Sequence, residues 1–407
     1  MINIIWLTPE FPSNSANTKG MYIYRTVKEL SKYFKIYVIC LYPASPPVIE
    51  MIKYWKDWKK IYNDWKENYS KKSSDFKKLK NFEVIYLRYF RLPRGQFHHI
   101  EGWFSYFQAR KYIAEIVTPN SIVHANWIFP AGTMANLISK KYNIPFIISL
   151  MGSDVNRLNI GSKFWKAAKK LLLSANKVTA VTNDLFDKCK DKNINLNQSK
   201  IMQIDNIYET DKFIIKDKQY CRELLSIEIN KKVVFFAGGL IPVKNVDVLI
   251  EAFDILLTNN SNLLLFIAGS GTEEGNLRRL TELKKIENHV FFLGPLLSDE
   301  LINYYNATDV FCLPSKSEGL PNVVVESLFC GTPVVASNVG GIPSIINEGE
   351  NGFLVQPNNS HDLAVKIEKC LGNNWNREKI RKSISHLEPH KVIEKYKILY
   401  NDLKELN

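Results

Sequence analysis

The stretch Ser315–Ser327, SKSEGLPNVVVES, carries two glutamates, Glu318 and Glu326, on either side of Gly319, Leu320, Pro321 and Asn322. Pro321 suits the first turn of a helix, where its missing N–H costs nothing. Glu318 then lies on the loop ahead of that helix, and Glu326 about one and a half turns inside it. The unbonded N–H groups of a helix start form a ready anion site. A carboxylate accepts hydrogen bonds from paired hydroxyls. Two carboxylates beside a phosphate site therefore fit a sugar nucleotide, one for a ribose and one for a sugar to be transferred. Taken alone, the same spacing also fits an acid favoured by the helix dipole followed by a solvated helix residue.

The elements around this stretch must place both acids at one end of a sheet. From residue 2 onward, short apolar runs (INIIWLT, KIYVICLY, FEVIYLR, SIVHA, PFIISL, KVTAVT) alternate with stretches of helical period such as MYIYRTVKELSKYF and SKFWKAAKKLLLSA. A second series of runs (KVVFFAG, LLLFIAG, HVFFLG, DVFCLP, PVVAS) begins after residue 230. Strand and helix in alternation predict a parallel, doubly wound α/β sheet, and two series predict two such domains. The polar segment at 205–220 is the expected linker, between a first domain at 1–206 and a second at 207–389. Ligands of such sheets sit beyond the carboxyl ends of the strands.

The chain has 407 residues, enough for two domains, with the apolar and charged fractions of a globular protein. No run approaches the ~18 apolar residues of a membrane-spanning helix. The start lacks a basic region and meets Pro9 too early for a signal peptide, so it reads as a buried strand. Six widely spaced cysteines suit core positions and a reducing cytoplasm. Residues 1–206 carry a net charge of +17 and residues 207–407 a net −4, which points the first half toward something anionic.

The run Glu318-Gly319-Leu320-Pro321, then Glu326, then GTPVVASNVGGIPSIINEGENGFLV, closely resembles the donor-site signature of GT-B glycosyltransferases of family 4, including members that build bacterial surface polymers of the teichuronic-acid type. The resemblance implies a GT-B fold, two Rossmann-like domains facing across a cleft, with a helix at about 390–407 returning to the first domain. HKVIEKYKILYNDLKEL suits that helix, with Val392, Tyr396, Leu399, Leu403 and Leu406 on one face. The family's roles would fall on Glu318 for the donor sugar hydroxyls and Glu326 for the nucleotide ribose. Gly319, Leu320, Pro321 and Asn322 would bring backbone amides to the diphosphate and sugar. In FFAGGLIPVKNVDVLIEAF, Lys244 matches a family lysine on the diphosphate, while Gly239 stands where many members have Arg. In the first half, Gly152, Ser153 and Asp154 match a His-Gly-x-Asp segment, with Met151 in the His position. Asp154 thereby joins Glu318 as a candidate catalytic residue, and Gly20, His124, Gly152 and Ser153 fall on the acceptor side. The residues themselves leave Asp154 equally suited to an N-cap, His124 to a satisfied core histidine and Gly20 to a turn before a helix.

The resemblance implies a retaining, hexosyl-type transfer from a nucleotide-diphosphate sugar to a hydroxyl of a glycan or lipid-diphosphate-linked glycan, in cell-surface polysaccharide biosynthesis. No cofactor is implied, and no metal, because no Asp-x-Asp or His cluster stands where a diphosphate-bound cation would need one. A non-catalytic GT-B-like subunit that binds glycan or lipid is the alternative, favoured by Met151 and Gly239. A dehydrogenase is suggested by Gly269, Gly271 and Gly275 after a strand, but the spacing is G-x-G-x-x-x-G and the ribose-binding acid is missing from the next strand. A nucleic-acid binder lacks a recognisable reading module. Between the second and third predicted strands, Trp55, Trp58, Tyr62, Trp65 and Tyr69 recur at helical steps among lysines. Such a stripe suits an anionic membrane surface on the inner face of the cell membrane, or a core-packed helix with solvated lysines.

Overall fold

The computed structural model describes residues 2–12, 20–44, 77–79, 82–90 and 98–405. Trp55, Trp58, Tyr62, Trp65 and Tyr69 lie outside the described residues, as does Leu406. The chain forms two units, Met1–Ile207 with His390–Asn407, and Tyr208–Pro389. Both are Rossmann-like parallel-sheet domains.

In the first unit, strands β1 (Asn3–Thr8), β2 (Lys35–Ala44), β3 (Lys77–Leu79), β4 (Phe82–Phe90), β5 (Ser121–Asn126), β6 (Phe146–Leu150), β7 (Lys177–Ala180) and β8 (Ile201–Gln203) form one sheet. Its order is β3-β4-β2-β1-β5-β6-β7-β8. Every pairing is parallel except β3 with β4. Alternate side chains of a strand face opposite ways, and here both faces are covered, so the strands read as continuous apolar runs. Ile5 and Leu7 of β1 pack with helices α2 (His98–Ile116), α3 (Thr133–Tyr142) and α4 (Lys163–Ser174). Ile4 and Trp6 pack on the other side with α1 (Met21–Leu30) and the C-terminal helix Pro389–Glu405. That last helix buries Val392, Tyr396, Leu399, Tyr400 and Leu403, and Lys395 donates to buried Asp205 at 2.7 Å.

The second unit is built from β9 (Lys232–Ala237), β10 (Leu263–Ala268), β11 (Val290–Gly294), β12 (Val310–Leu313), β13 (Val334–Ser337) and β14 (Gly352–Val355). The order is β11-β10-β9-β12-β13-β14, all parallel. The strand order therefore reverses between β9 and β12. Loops that leave two such neighbours diverge to opposite faces of the sheet and open a crevice at the strands' carboxyl ends. The helices concerned are α5 (Val246–Leu257) after β9, α6 (Glu274–Lys284) after β10, α7 (Ser298–Ala307) after β11 and α8 (Asn322–Phe329) after β12. All six cysteines are free and buried.

Candidate active site

Lys244 and Glu318 leave the two strands that flank this switch point. After β9 the chain turns through Gly238 and Gly239 into a short 3-10 turn, Pro242–Lys244, and then Asn245 in the left-handed region (φ 58°) starts α5. Lys244 thus closes the 3-10 turn and does not oppose the dipole of α5 from inside it. After β12, Lys316 N–H donates to the Val243 carbonyl at 2.8 Å, tying the two loops together. The Lys244 ammonium donates to Glu318 Oε1 at 2.6 Å, with the two side chains only 20 % and 11 % exposed. A cation and a carboxylate, each able to hold one part of a sugar diphosphate, hold each other.

The Glu318 loop is fixed from below by backbone contact. Gly341 N–H donates to the Gly319 carbonyl at 2.7 Å. Gly340 has φ +57°, and a Cβ there would lie 2.0 Å from the Glu318 carbonyl oxygen. Only glycine allows that approach. Leu320 and Pro321 are buried, Gly319 is exposed, and Asn322 opens α8, with Pro321 as its extended N-cap one position ahead of the predicted first turn. Glu326, the fifth residue of α8, is 8 % exposed and accepts a hydrogen bond from the buried Tyr305 hydroxyl of α7 at 3.2 Å. It is not the solvated helix acid that the spacing also allowed. Burial, with the Glu326 charge beside it, pushes the Tyr305 phenol well above its usual range, so Tyr305 stays a donor.

Two of the three glycines that suggested a dinucleotide site, Gly269 and Gly271, have a packing role, while an added Cβ on Gly275 would meet nothing within 4 Å. A Cβ on Gly269 would lie 1.8 Å from the Gly238 carbonyl oxygen, and one on Gly271 would lie 2.2 Å from that of Leu240. The turn after β10 lies directly on the turn after β9, with Leu240 N–H donating to Ser270 O at 3.0 Å. Gly239, beside it, is exposed, with only Ile241 near the place of an added Cβ.

In the first unit, Asp154 sits in the one-turn helix Ser153–Asn156. Its carboxylate accepts from the backbone N–H of Ile128 at 3.2 Å, Met151 at 3.1 Å and Val155 at 3.1 Å. Burial pushes its pKa up, against the pull of these backbone donors. The group is committed to holding the loops after β5 and β6 together, which is a positioning task. Gly152 supplies the φ of +93° that this turn needs, and Ser153 Oγ accepts from Trp127 Nε1 at 3.2 Å. Gly20 is the left-handed N-cap of α1, pressed so close to Glu10 that a Cβ would meet its carbonyl at 2.8 Å.

His124 corrects the acceptor-side expectation. It has no exposed surface; Nδ1 pairs with Tyr400 Oη at 2.8 Å, Nε2 with Ser149 Oγ at 2.6 Å, and the ring stacks on Trp6 at 4.2 Å. Burial lowers its pKa to about 3. The folded value lies below the unfolded one, so this histidine's contribution is present in full above about 6.5 and is lost as pH falls toward 3. At pH 5 the loss is about 2 kcal/mol. Urea midpoints of wild type and His124→Gln at pH 7 and pH 5 should show the steeper fall in wild type. Parallel falls would contradict the assignment.

Residues 221–386 match the family model for glycosyl transferases group 1, and residues 70–184 match that for glycosyl transferase 4-like proteins. The putative teichuronic acid biosynthesis glycosyltransferase TuaC of Bacillus subtilis is 26 % identical over 378 residues, covering 90 % of this chain and 89 % of TuaC. The chain belongs to the family 4-like glycosyltransferases of GT-B fold. A D-inositol 3-phosphate glycosyltransferase of Acidothermus cellulolyticus is 33 % identical over 187 residues, 44 % of this chain and 42 % of that one. The fold is shared with sucrose-phosphate synthase of Thermosynechococcus elongatus (TM-score 0.75, 18 % identity, 100 % of both chains). It is also shared with Anabaena HepE solved with UDP (TM-score 0.72, 16 % identity, 98 % of this chain and 100 % of that one).

Two residues that shape this candidate site, Gly340 and Tyr305, carry little signal in the sequence. Gly340 carries no periodic signal, and only its pairing with Gly341 after a strand hinted at a close backbone approach. Tyr305 looks like any apolar helix position until its hydroxyl is placed on Glu326. Tyr305→Phe keeps the ring and removes the donor to a charged acceptor. The expected result is about a tenfold rise in KM for the donor with kcat little changed. An unchanged KM would make Tyr305 purely a core residue.

Proposed function

We propose that this glycosyltransferase moves a hexosyl-type sugar, with retention of configuration, from a nucleotide-diphosphate sugar to a hydroxyl of a glycan or lipid-diphosphate-linked glycan, in cell-surface polysaccharide biosynthesis. The observation that carries the reading is the Lys244–Glu318 pair at the switch point, with Glu326 fixed eight residues further along the same strand–loop–helix. An arriving diphosphate gives the Lys244 ammonium a new partner and releases Glu318 to accept hydrogen bonds from the sugar. Glu326 holds the ribose. The bond between the anomeric carbon and the diphosphate oxygen breaks with its electron pair going to the diphosphate. The acceptor oxygen bonds to that carbon from the same face, and its proton passes to the departing diphosphate. Lys244 and the amides of Gly319 and its neighbours stabilise the charge that develops there. The second unit takes the donor in this reading and the first the acceptor, with Asp154, Gly152 and Ser153 shaping the acceptor side and Gly20 opening the helix after β1. The first unit meets the inner face of the cell membrane as a peripheral protein. No helix among the described residues is long and apolar enough to cross a membrane.

TuaC, by its name, belongs to polymer biosynthesis, and HepE was solved with UDP, so UDP-sugars come first as donors to test. Proton NMR of the linkage formed from an α-linked donor should show an α anomer. A β product would overturn retention and leave glycosyl transfer standing.

A further inference from the structure

On the first unit, three neighbouring helices cover the same face of the sheet, because α2, α3 and α4 all pack into the core that takes Ile5 and Leu7 of β1. Helix α2 touches both others. The outer side of this layer is unusual in two respects. Trp103 and Phe107, one turn apart on α2, are 48 % and 53 % exposed and stack on each other at 6.5 Å. The exposed Arg110 and Lys111 continue that side of the helix, Arg110 lying 5.9 Å from the Phe107 ring. Helix α4 contains no acid and exposes Lys163, Lys166 and Lys170. None of these five cations pairs with an acid among the described residues. Three acids occur in residues 98–174. Glu101 is buried against the Tyr89 hydroxyl, Asp154 is closed by backbone donors, and Glu115 is exposed on the last turn of α2.

We infer that this face docks on an anionic phospholipid surface through Trp103 and Phe107, with the lysines of α4 and the cations of α2 over the headgroups. An indole with its polar N–H edge, as in Trp103, settles at the headgroup level, the Phe107 ring adds apolar area beside it, and each nearby cation multiplies partitioning about fivefold. Topology adds where the contact falls. β4 and β5 run parallel, so α2 returns antiparallel to them, and its first turns lie at the carboxyl ends of the strands. Trp103 therefore sits toward the edge of the sheet where ligands bind, with Phe107 one turn further along α2. A lipid-linked acceptor held by the bilayer would be presented at that edge; this use of the face, though not the contact itself, rests on the proposed function.

The test is co-flotation of the full chain with phosphatidylcholine vesicles, with and without phosphatidylglycerol, at low and high salt. Wild type should bind only the anionic vesicles and lose them at high salt. Trp103→Ser with Phe107→Ser should lower partitioning about tenfold, and Lys163→Glu with Lys166→Glu and Lys170→Glu about a hundredfold or more, both variants keeping the wild-type melting temperature. Trp55→Ser with Trp58→Ser and Trp65→Ser should stay within about threefold of wild type. Three results overturn the inference: wild type ignoring anionic vesicles, folded face variants binding as wild type does, or binding abolished by the Trp55, Trp58 and Trp65 variant alone. Binding to soluble polyglutamate without binding to vesicles overturns it too, in favour of an anionic polymer. No donor is present in this assay, so a failure of the transfer reading would leave its result unchanged.

Discussion

Lys244→Ala is expected to weaken binding of a free nucleoside diphosphate by tenfold to a hundredfold while changing binding of the nucleoside by less than about twofold. The magnitude is that of one hydrogen-bonded charge, ~1.5–3 kcal/mol. The direction follows from the Lys244–Glu318 pair. Lys244 is the cation that two tied loops bring to the crevice beyond β9 and β12, and its present partner is a carboxylate that a phosphate would replace. The same pair predicts an opposite sign for its other half. Glu318→Gln removes the anion that competes for Lys244, so the nucleoside diphosphate should bind several-fold more tightly while transfer falls by tenfold to a hundredfold. Calorimetry with both ligands, on variants checked by thermal melting, separates the two. Equal losses for nucleoside and diphosphate would move Lys244 out of the site.

Glu326→Ala is expected to weaken the donor nucleotide by a similar tenfold to hundredfold, through the ribose end of the ligand. A nucleotide lacking both ribose hydroxyls should bind wild type and variant alike, because the lost carboxylate has nothing to accept from it. The variant also leaves the Tyr305 hydroxyl buried without Glu326, a cost that shows in the melting temperature and not in ligand discrimination. Should the variant weaken both nucleotides equally, Glu326 acts on the fold and not on the ribose.

Much of this was readable in the sequence because burial on both sides of a parallel sheet leaves a strong mark. β1, β5, β6, β9, β10 and β12 are continuous apolar runs that read as strands from the sequence alone. β3, β8 and β14 do not. β3 and β8 are three-residue edge strands, and β8 is only partly buried. β14 opens on Gly352, which is there because a Cβ would strike the Val334 carbonyl at 2.0 Å, and a glycine start hides a strand. The first turns of α2 were missed because Glu101, Gly102 and Ser105 face inward and break the apolar period; Gly102 lies against Pro130 and Thr133. In the site, Glu318 and Glu326 were legible from their spacing around Pro321. The pairing of Lys244 with Glu318 joins residues 74 positions apart and needed the strand order. His124 misled because an imidazole in a strand looks like a contact, whereas Trp6, Ser149 and Tyr400, remote in sequence, enclose it. Asp154 is partly exposed, and its three backbone donors, one of them Ile128 from the loop after β5, could be placed only by the fold.

The most direct test of the account is a screen of nucleotide sugars, UDP-sugars first, for release of nucleoside diphosphate by wild type and by Glu318→Gln, read by mass spectrometry. The account predicts turnover of at least one nucleotide sugar by wild type, falling tenfold or more in Glu318→Gln although that variant binds the free diphosphate more tightly. Turnover of the preferred donor at the same rate by both proteins would contradict it.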